Sequence, residues 1–188
     1  MRKAAFLLIC VLIAATALTA AQVPETANAR RLSVTAGVFA SGFQPHHVAS
    51  IGDSGDNFIF GAGTYVDVHF THWFQLEGEA RWLRFNEYFD EHQDNYLIGP
   101  KIPIHQFGRA NVYGKVLVGL GMMTFPRFSQ YDYGRGLALA YGGGVDYKLT
   151  RRLSFRAVDF EYQQWPTMLP NNQLYPYGVS MGLGYKVF

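Results

Sequence analysis

Over the last twelve positions, large apolar residues alternate with small or polar ones. Tyr177, Val179, Met181, Leu183, Tyr185 and Val187 form one set. Gly178, Ser180, Gly182, Gly184 and Lys186 form the other, and the chain ends on Phe188. In a strand these sets point to opposite faces. Seven other segments show the same contrast: 32–42, 58–70, 74–85, 96–104, 112–122, 137–149 and 153–162, with 175–188 as the eighth. Several place charge on the second face, as in Glu77, Glu79 and Arg81 opposite Phe74, Leu76, Ala80 and Trp82. A soluble sandwich would bury the apolar face against a second sheet. Apolar residues outside and charge inside suit a barrel standing in lipid.

Two irregularities modify this pattern. Pro100 and Pro103 remove ladder donors and weaken the fourth strand, 96–104. In 153–162 the apolar positions slip by one, from Leu153, Phe155 and Ala157 to Phe160 and Tyr162. Such a slip predicts a bulge near residues 157 and 158.

The connections alternate long and short: 43–56, 71–73, 86–95, 105–111, 123–136, 150–152 and 163–174. Bacterial outer-membrane barrels have short periplasmic turns and longer outer loops. The expected fold is therefore all-β, an eight-stranded antiparallel up-and-down transmembrane barrel over residues 31–188. Both termini are expected in the periplasm. Aromatic girdles should mark its rims. Phe70, Trp73, Phe74, Phe107, Tyr147 and Tyr185 fall near the turns. Phe58, Trp82, Phe85, Tyr88, Phe125, Phe128, Tyr162, Trp165 and Tyr175 fall near the loops. A soluble lipocalin-type cup would invert the faces, leaving Phe58, Phe60, Val66 and Val68 around a ligand cavity.

Met1-Arg2-Lys3, an apolar run from Ala4 to Ala15 and the small residues Thr19-Ala20-Ala21 read as a secretory signal over 1–21. The run is too short to span a bilayer as a helix. Cleavage after Ala20, Ala21 or Ala29 fits the small-residue rule, and 22–30 forms a short periplasmic leader. Loss of Arg2 and Lys3 leaves fourteen basic against fourteen acidic side chains, so the charge gives no support for nucleic-acid binding. Cys10, the only cysteine, leaves with the signal, and disulfides cannot staple the fold.

The second half of the chain resembles a known family. Tyr96-Leu97-Ile98-Gly99-Pro100-Lys101 is similar to the Gly-Pro-Arg strand of small outer-membrane β-barrel proteins, the OmpA-like and porin-like group. Leu137 to Tyr162 resembles that group's Gly-Gly-Gly-x-Asp strand, short turn and Arg-containing strand, and Phe160 to Gln163 resembles the seventh strand of the OmpA membrane domain. Lys101 stands where the family has arginine, and Phe188 sits one register off the apolar face. The resemblance implies a terminal assembly signal, here Tyr185 and Phe188, read by the barrel-assembly machinery.

The second faces carry Asp67, Glu77, Glu79, Asp146, Asp159 and Glu161 against Arg81, Lys101, Lys115, Lys148, Arg156 and Lys186. Six against six predicts a lumen closed by ion pairs, since an eight-stranded barrel is only wide enough for its own side chains. No catalytic group, cofactor or metal is expected. His46, His47, Ser50 and Asp53 cluster in the first loop, and His92, Asp90, Glu91 and Asp94 lie in or near the second, but no spacing there requires catalysis or a metal. The expected role is a monomeric, plugged scaffold with four outer loops open to an extracellular ligand. Its expected partners are outer-membrane lipids, lipopolysaccharide and the assembly machinery. A narrow channel and a soluble periplasmic binding barrel are the alternatives.

Overall fold

The computed structural model describes residues 32–45, 58–86, 91–124, 133–166 and 173–187. The predicted signal, leader and Phe188 lie outside them, as do His46, His47, Ser50, Asp53, Asp90, Tyr88, Phe125 and Phe128. Eight strands follow one another: β1 (Ser33–Gln44), β2 (Ile59–His69), β3 (Gln75–Phe85), β4 (His92–Phe107), β5 (Ala110–Thr124), β6 (Tyr133–Lys148), β7 (Leu153–Gln164) and β8 (Tyr177–Lys186). Each pairs antiparallel with the next, and β8 returns to β1 through a register from Thr35↔Lys186 to Gln44↔Tyr177. Closure leaves no edge strand with unpaired backbone groups.

The predicted alternation sets the faces. Val38, Phe60, Val66, Ile98, Val118, Leu120, Phe160, Val179, Met181 and Leu183 are exposed on the outer wall. An apolar belt this continuous is foreign to the surface of a water-soluble monomer. Phe70, Trp73, Phe107, Tyr147 and Tyr185 are exposed toward the turns, and Phe58, Trp82, Phe85 and Tyr162 toward the loops. The slip in β7 is a bulge: the β7–β8 register shifts between Arg156 and Asp159.

Five strands run past their predicted bounds, β1 to Gln44, β7 to Gln164, β5 to Ala110 and Thr124, β6 back to Tyr133 and β4 furthest of all. β4 extends from His92 to Phe107, straight through both prolines. The β4–β5 ladder skips Gly99 and Pro100, passing in unchanged register from Ile98↔Val118 to Lys101↔Lys115, and its register shifts between Pro103 and His105. Pro100 thus falls in the gap of this ladder, and Pro103, paired with Tyr113, borders its shift, places where a missing N–H costs little. The β4–β5 connection shrinks to Gly108 and Arg109, with Gly108 at φ 58° supplying the left-handed residue of a two-residue hairpin turn. In the β6–β7 turn, Thr150 Oγ1 accepts from the backbone N–H groups of Arg152 (3.2 Å) and Leu153 (2.9 Å). One end of the barrel therefore carries three short turns, and the other carries the long connections.

Candidate functional site

The strands' second face builds a lumen with two kinds of filling. Toward the turns, β2, β3, β6 and β7 supply Asp67, Glu77, Glu79, Asp146, Asp159 and Glu161, while β3, β4, β5 and β7 supply Arg81, Lys101, Lys115 and Arg156. All are buried except Asp146, whose side chain is 20% exposed. Lys101 Nζ donates to Asp67 (2.9 Å), Asp146 (2.9 Å) and Glu77 (3.2 Å). Arg156 reaches the same carboxylates, at 2.6 Å to Glu77, and also Asp159 at 3.3 Å. Lys115 Nζ sits among Glu77 (2.9 Å), Glu79 (3.1 Å), Asp159 (2.7 Å) and Glu161 (3.2 Å). Arg81 completes the set with Glu79 at 2.6 Å and Glu161 at 2.9 Å.

Charges this deeply buried survive only when paired and hydrogen-bonded. Aromatic rings supply a further source of attraction. The Arg156 guanidinium carbon lies 3.8 Å from the Tyr65 ring centroid, Lys101 Nζ 4.0 Å from that of Tyr113, and the Arg81 carbon 4.1 Å from that of Phe43. Over the ring face a cation meets the negative side of the quadrupole. Strand parity puts Tyr65 on the inner face with Asp67, Tyr113 with Lys115, and Phe39 and Phe43 with Ser41. Alternation alone could not show that these rings stack on the cations.

The structure separates two of the expected bases from the rest. Lys148 and Lys186 have the inward parity but lie at the ends of β6 and β8, exposed at the mouth beyond the buried network. Inside, four cations therefore face six carboxylates, so the six-against-six balance does not hold. Parity fixes the face of a residue but not its depth along the barrel.

Toward the loops the filling changes. Asn95 Nδ2 (3.0 Å) and Trp165 Nε1 (2.8 Å) both donate to Gln163 Oε1, and Ser41 and Ser180 share a hydrogen bond at 2.5 Å. Around them Leu97, Leu117, Met123, Ala138, Ala140, Trp165 and Leu174 form one buried apolar cluster, and Phe43, Ile59 and Leu83 another. Trp165 was expected on the outer rim; it is fully buried in the lumen. After the β7 bulge the inward positions run Asp159, Glu161, Gln163, and Trp165 continues that series. Its indole lies over Gly121, where a Cβ would come within 2.6 Å of the ring, so only glycine leaves it room. Trp165 also bridges Leu174, which draws the start and end of the β7–β8 connection together over the lumen.

Among the described residues, Glu77, Glu79 and Asp159 form a carboxylate group of metal-binding dimensions, and the Lys115 ammonium already occupies its centre. Among the described residues near the second loop, His92 hydrogen-bonds Thr124 (2.9 Å) and Asp94 pairs with Arg84 (2.5 Å). Tyr185 is exposed on the outer wall.

The fold has solved counterparts. The Neisserial surface protein A structure superimposes with a TM-score of 0.66 at 10% identity, covering 81% of this chain and 96% of that one. The N-terminal β-barrel domain of Pseudomonas aeruginosa OprF gives 0.56 at 10% identity, covering 83% and 99%. The outer membrane protein OprG of Pseudomonas aeruginosa gives 0.50 at 15% identity, covering 82% and 95%. At these identities the likeness is one of fold. No curated protein matches the sequence. The sequence profile of the outer membrane protein beta-barrel domain, however, matches residues 8–186, through all eight strands. With that match laid over a closed barrel of lipid-facing exterior and charged interior, the chain belongs to the outer membrane protein β-barrel family.

Proposed function

We propose that this protein is a closed scaffold of the bacterial outer membrane whose long connections serve as an interaction surface outside the cell. The observation that carries the reading is the double filling of the lumen: an ion-pair network toward the turns, and Trp165 with its apolar neighbours toward the loops. An ion crossing the barrel would have to break the first and displace the second. Short turns and both ends of the barrel domain face the periplasm in this reading. Residues 1–21 act as the export signal, and the closing strand with Tyr185 and Phe188 is read by the assembly machinery. Lipids and lipopolysaccharide surround a monomer. No catalytic role is assigned.

The test is conductance in a planar bilayer, after heat-modifiable gel mobility has shown that the refolded barrel is intact. A silent bilayer is the expected result. Steady steps that change with Lys115→Ala or Glu79→Ala would replace the scaffold by a narrow channel. N-terminal sequencing of the protein recovered from outer membranes should begin at Ala21, Gln22 or Arg30. A chain that still begins at Met1 would remove the export signal from the proposal.

A further inference from the structure

The turn end of the lumen opens into a cavity of about 640 Å³, within the size range of small-ligand pockets. Its lining joins residues from the ends of β6 and β8 and from the β6–β7 turn: Lys148, Arg151, Arg152 and Lys186. All four are exposed, and among the described residues none takes part in the ion pairs of the lumen. Arg152 makes one neutral contact, donating to the Tyr185 hydroxyl at 3.3 Å.

The cavity floor contains two carboxylates, Asp67 and Asp146. Both are already engaged by two cations, Lys101 (2.9 Å to each) and Arg156 (3.4 and 3.3 Å). Lys101 and Arg156 also serve Glu77, and the network beneath carries two more carboxylates than cations, so the four positive charges of the rim leave the mouth as a whole with a positive excess of two. A concave site lined by one sign of charge focuses its field and concentrates ions of the other. His69, His72 and His105 on the facing side add ring nitrogens and no negative charge.

A simpler reading makes these side chains anchors for lipid headgroups. Strand parity argues against it for the two lysines, while Arg152 reaches the outward Tyr185. Lys148 and Lys186 continue the inward series of Asp146 on β6 and of Ser180 on β8, whereas Tyr147 and Tyr185 beside them face outward. Groups that serve headgroups sit on the outward face. A second reading treats the two lysines as distant counter-charges for the acid-rich network beneath them, and it predicts a loss of stability when they are removed.

We infer that the periplasmic mouth of the barrel is a binding site for a small, multiply charged soluble anion carrying phosphate or carboxylate groups. The side of the membrane rests on the orientation proposed above. The site itself needs neither that orientation nor a closed lumen, so conductance and binding succeed or fail separately.

The test is calorimetric titration of the folded barrel with inorganic pyrophosphate, in an uncharged detergent and a buffer free of other polyvalent anions. Wild-type protein should bind. Lys148→Gln/Lys186→Gln should weaken binding by roughly a hundredfold, about tenfold for each charge-assisted hydrogen bond removed. Its heat-modifiable gel transition should stay at the wild-type temperature. Absence of binding, or equal binding by the double variant, overturns the inference. A double variant whose gel transition falls while its pyrophosphate affinity persists makes the lysines counter-charges. A repeat in nanodiscs separates the sources of phosphate. Affinity held when phosphatidylglycerol replaces zwitterionic lipid supports a soluble ligand, and displacement by that lipid assigns the site to headgroups.

Discussion

The two halves of this lumen occupy the same barrel and are bounded by the same eight strands, yet they are filled in opposite ways. Toward the turns, Lys101, Lys115, Arg156 and Arg81 thread among six carboxylates and rest on Tyr65, Tyr113 and Phe43. Toward the loops, Leu117, Met123, Ala140 and Trp165 pack much as in a soluble core, with a few amides and hydroxyls satisfied among them. The first half is held by long-range forces among groups that cannot lose a partner cheaply. The second is held by close packing and is sensitive to volume. A barrel this narrow must be filled everywhere, and the comparison shows that ionic and apolar packing are interchangeable ways of filling it.

The largest expected effect comes from removing the ammonium shared by four carboxylates. Lys115→Met keeps much of the volume but leaves Glu77, Glu79, Asp159 and Glu161 short of a cation. It should cost about 3–5 kcal/mol, the scale for breaking a buried ion pair from one side. Urea unfolding in lipid vesicles would measure it. The loss should shrink in acid, because protonated carboxylates no longer need the lysine, and a loss independent of pH would contradict the ionic account.

The outer wall offers a control that belongs to neither half. Val66, 44% exposed on β2, should face hydrocarbon. Val66→Arg should cost about 2–4 kcal/mol near the bilayer midplane. The same unfolding experiment reads it, and no penalty in lipid would mean that the faces are inverted.

In the loop half, Trp165→Phe removes the indole N–H that reaches Gln163 and some ring volume over Gly121. About 1 kcal/mol follows from the lost hydrogen bond and roughly 1 more from the lost ring volume, and in contrast to Lys115→Met it should not vary with pH. The smallest effect expected is that of Ser41→Ala, which leaves Ser180 without its partner across the β1–β8 seam. Roughly 0.5–1.5 kcal/mol is the scale for one such bond, and a larger loss would mean that barrel closure depends on this seam more than on the filling of the lumen.

Strand number, faces and the β7 bulge were all legible in the alternation of the chain. Period-two patterning is a local property, and lipid outside with charge inside leaves a strong contrast at each step. The course of β4 was not legible, because a proline's cost depends on whether the neighbouring strand needs its N–H. Pro100 sits in a gap of the β4–β5 ladder and Pro103 beside its register shift. The place of Trp165 was missed for a related reason. As an aromatic near a strand end it matches a girdle residue in type, and only the bulge and the glycine opposite turn it inward.

The candidate site divides along the same line. Alternation by itself determined that Asp67, Glu77, Glu79, Lys101, Lys115 and Arg156 share the inside of the wall, since each strand reports the face of every side chain it carries. Only the closed barrel decided which of them meet. Register and closure set each residue's depth and bring strands distant in sequence across the lumen from one another, so Lys115 became the centre of the network while Lys148 and Lys186 were left at its mouth.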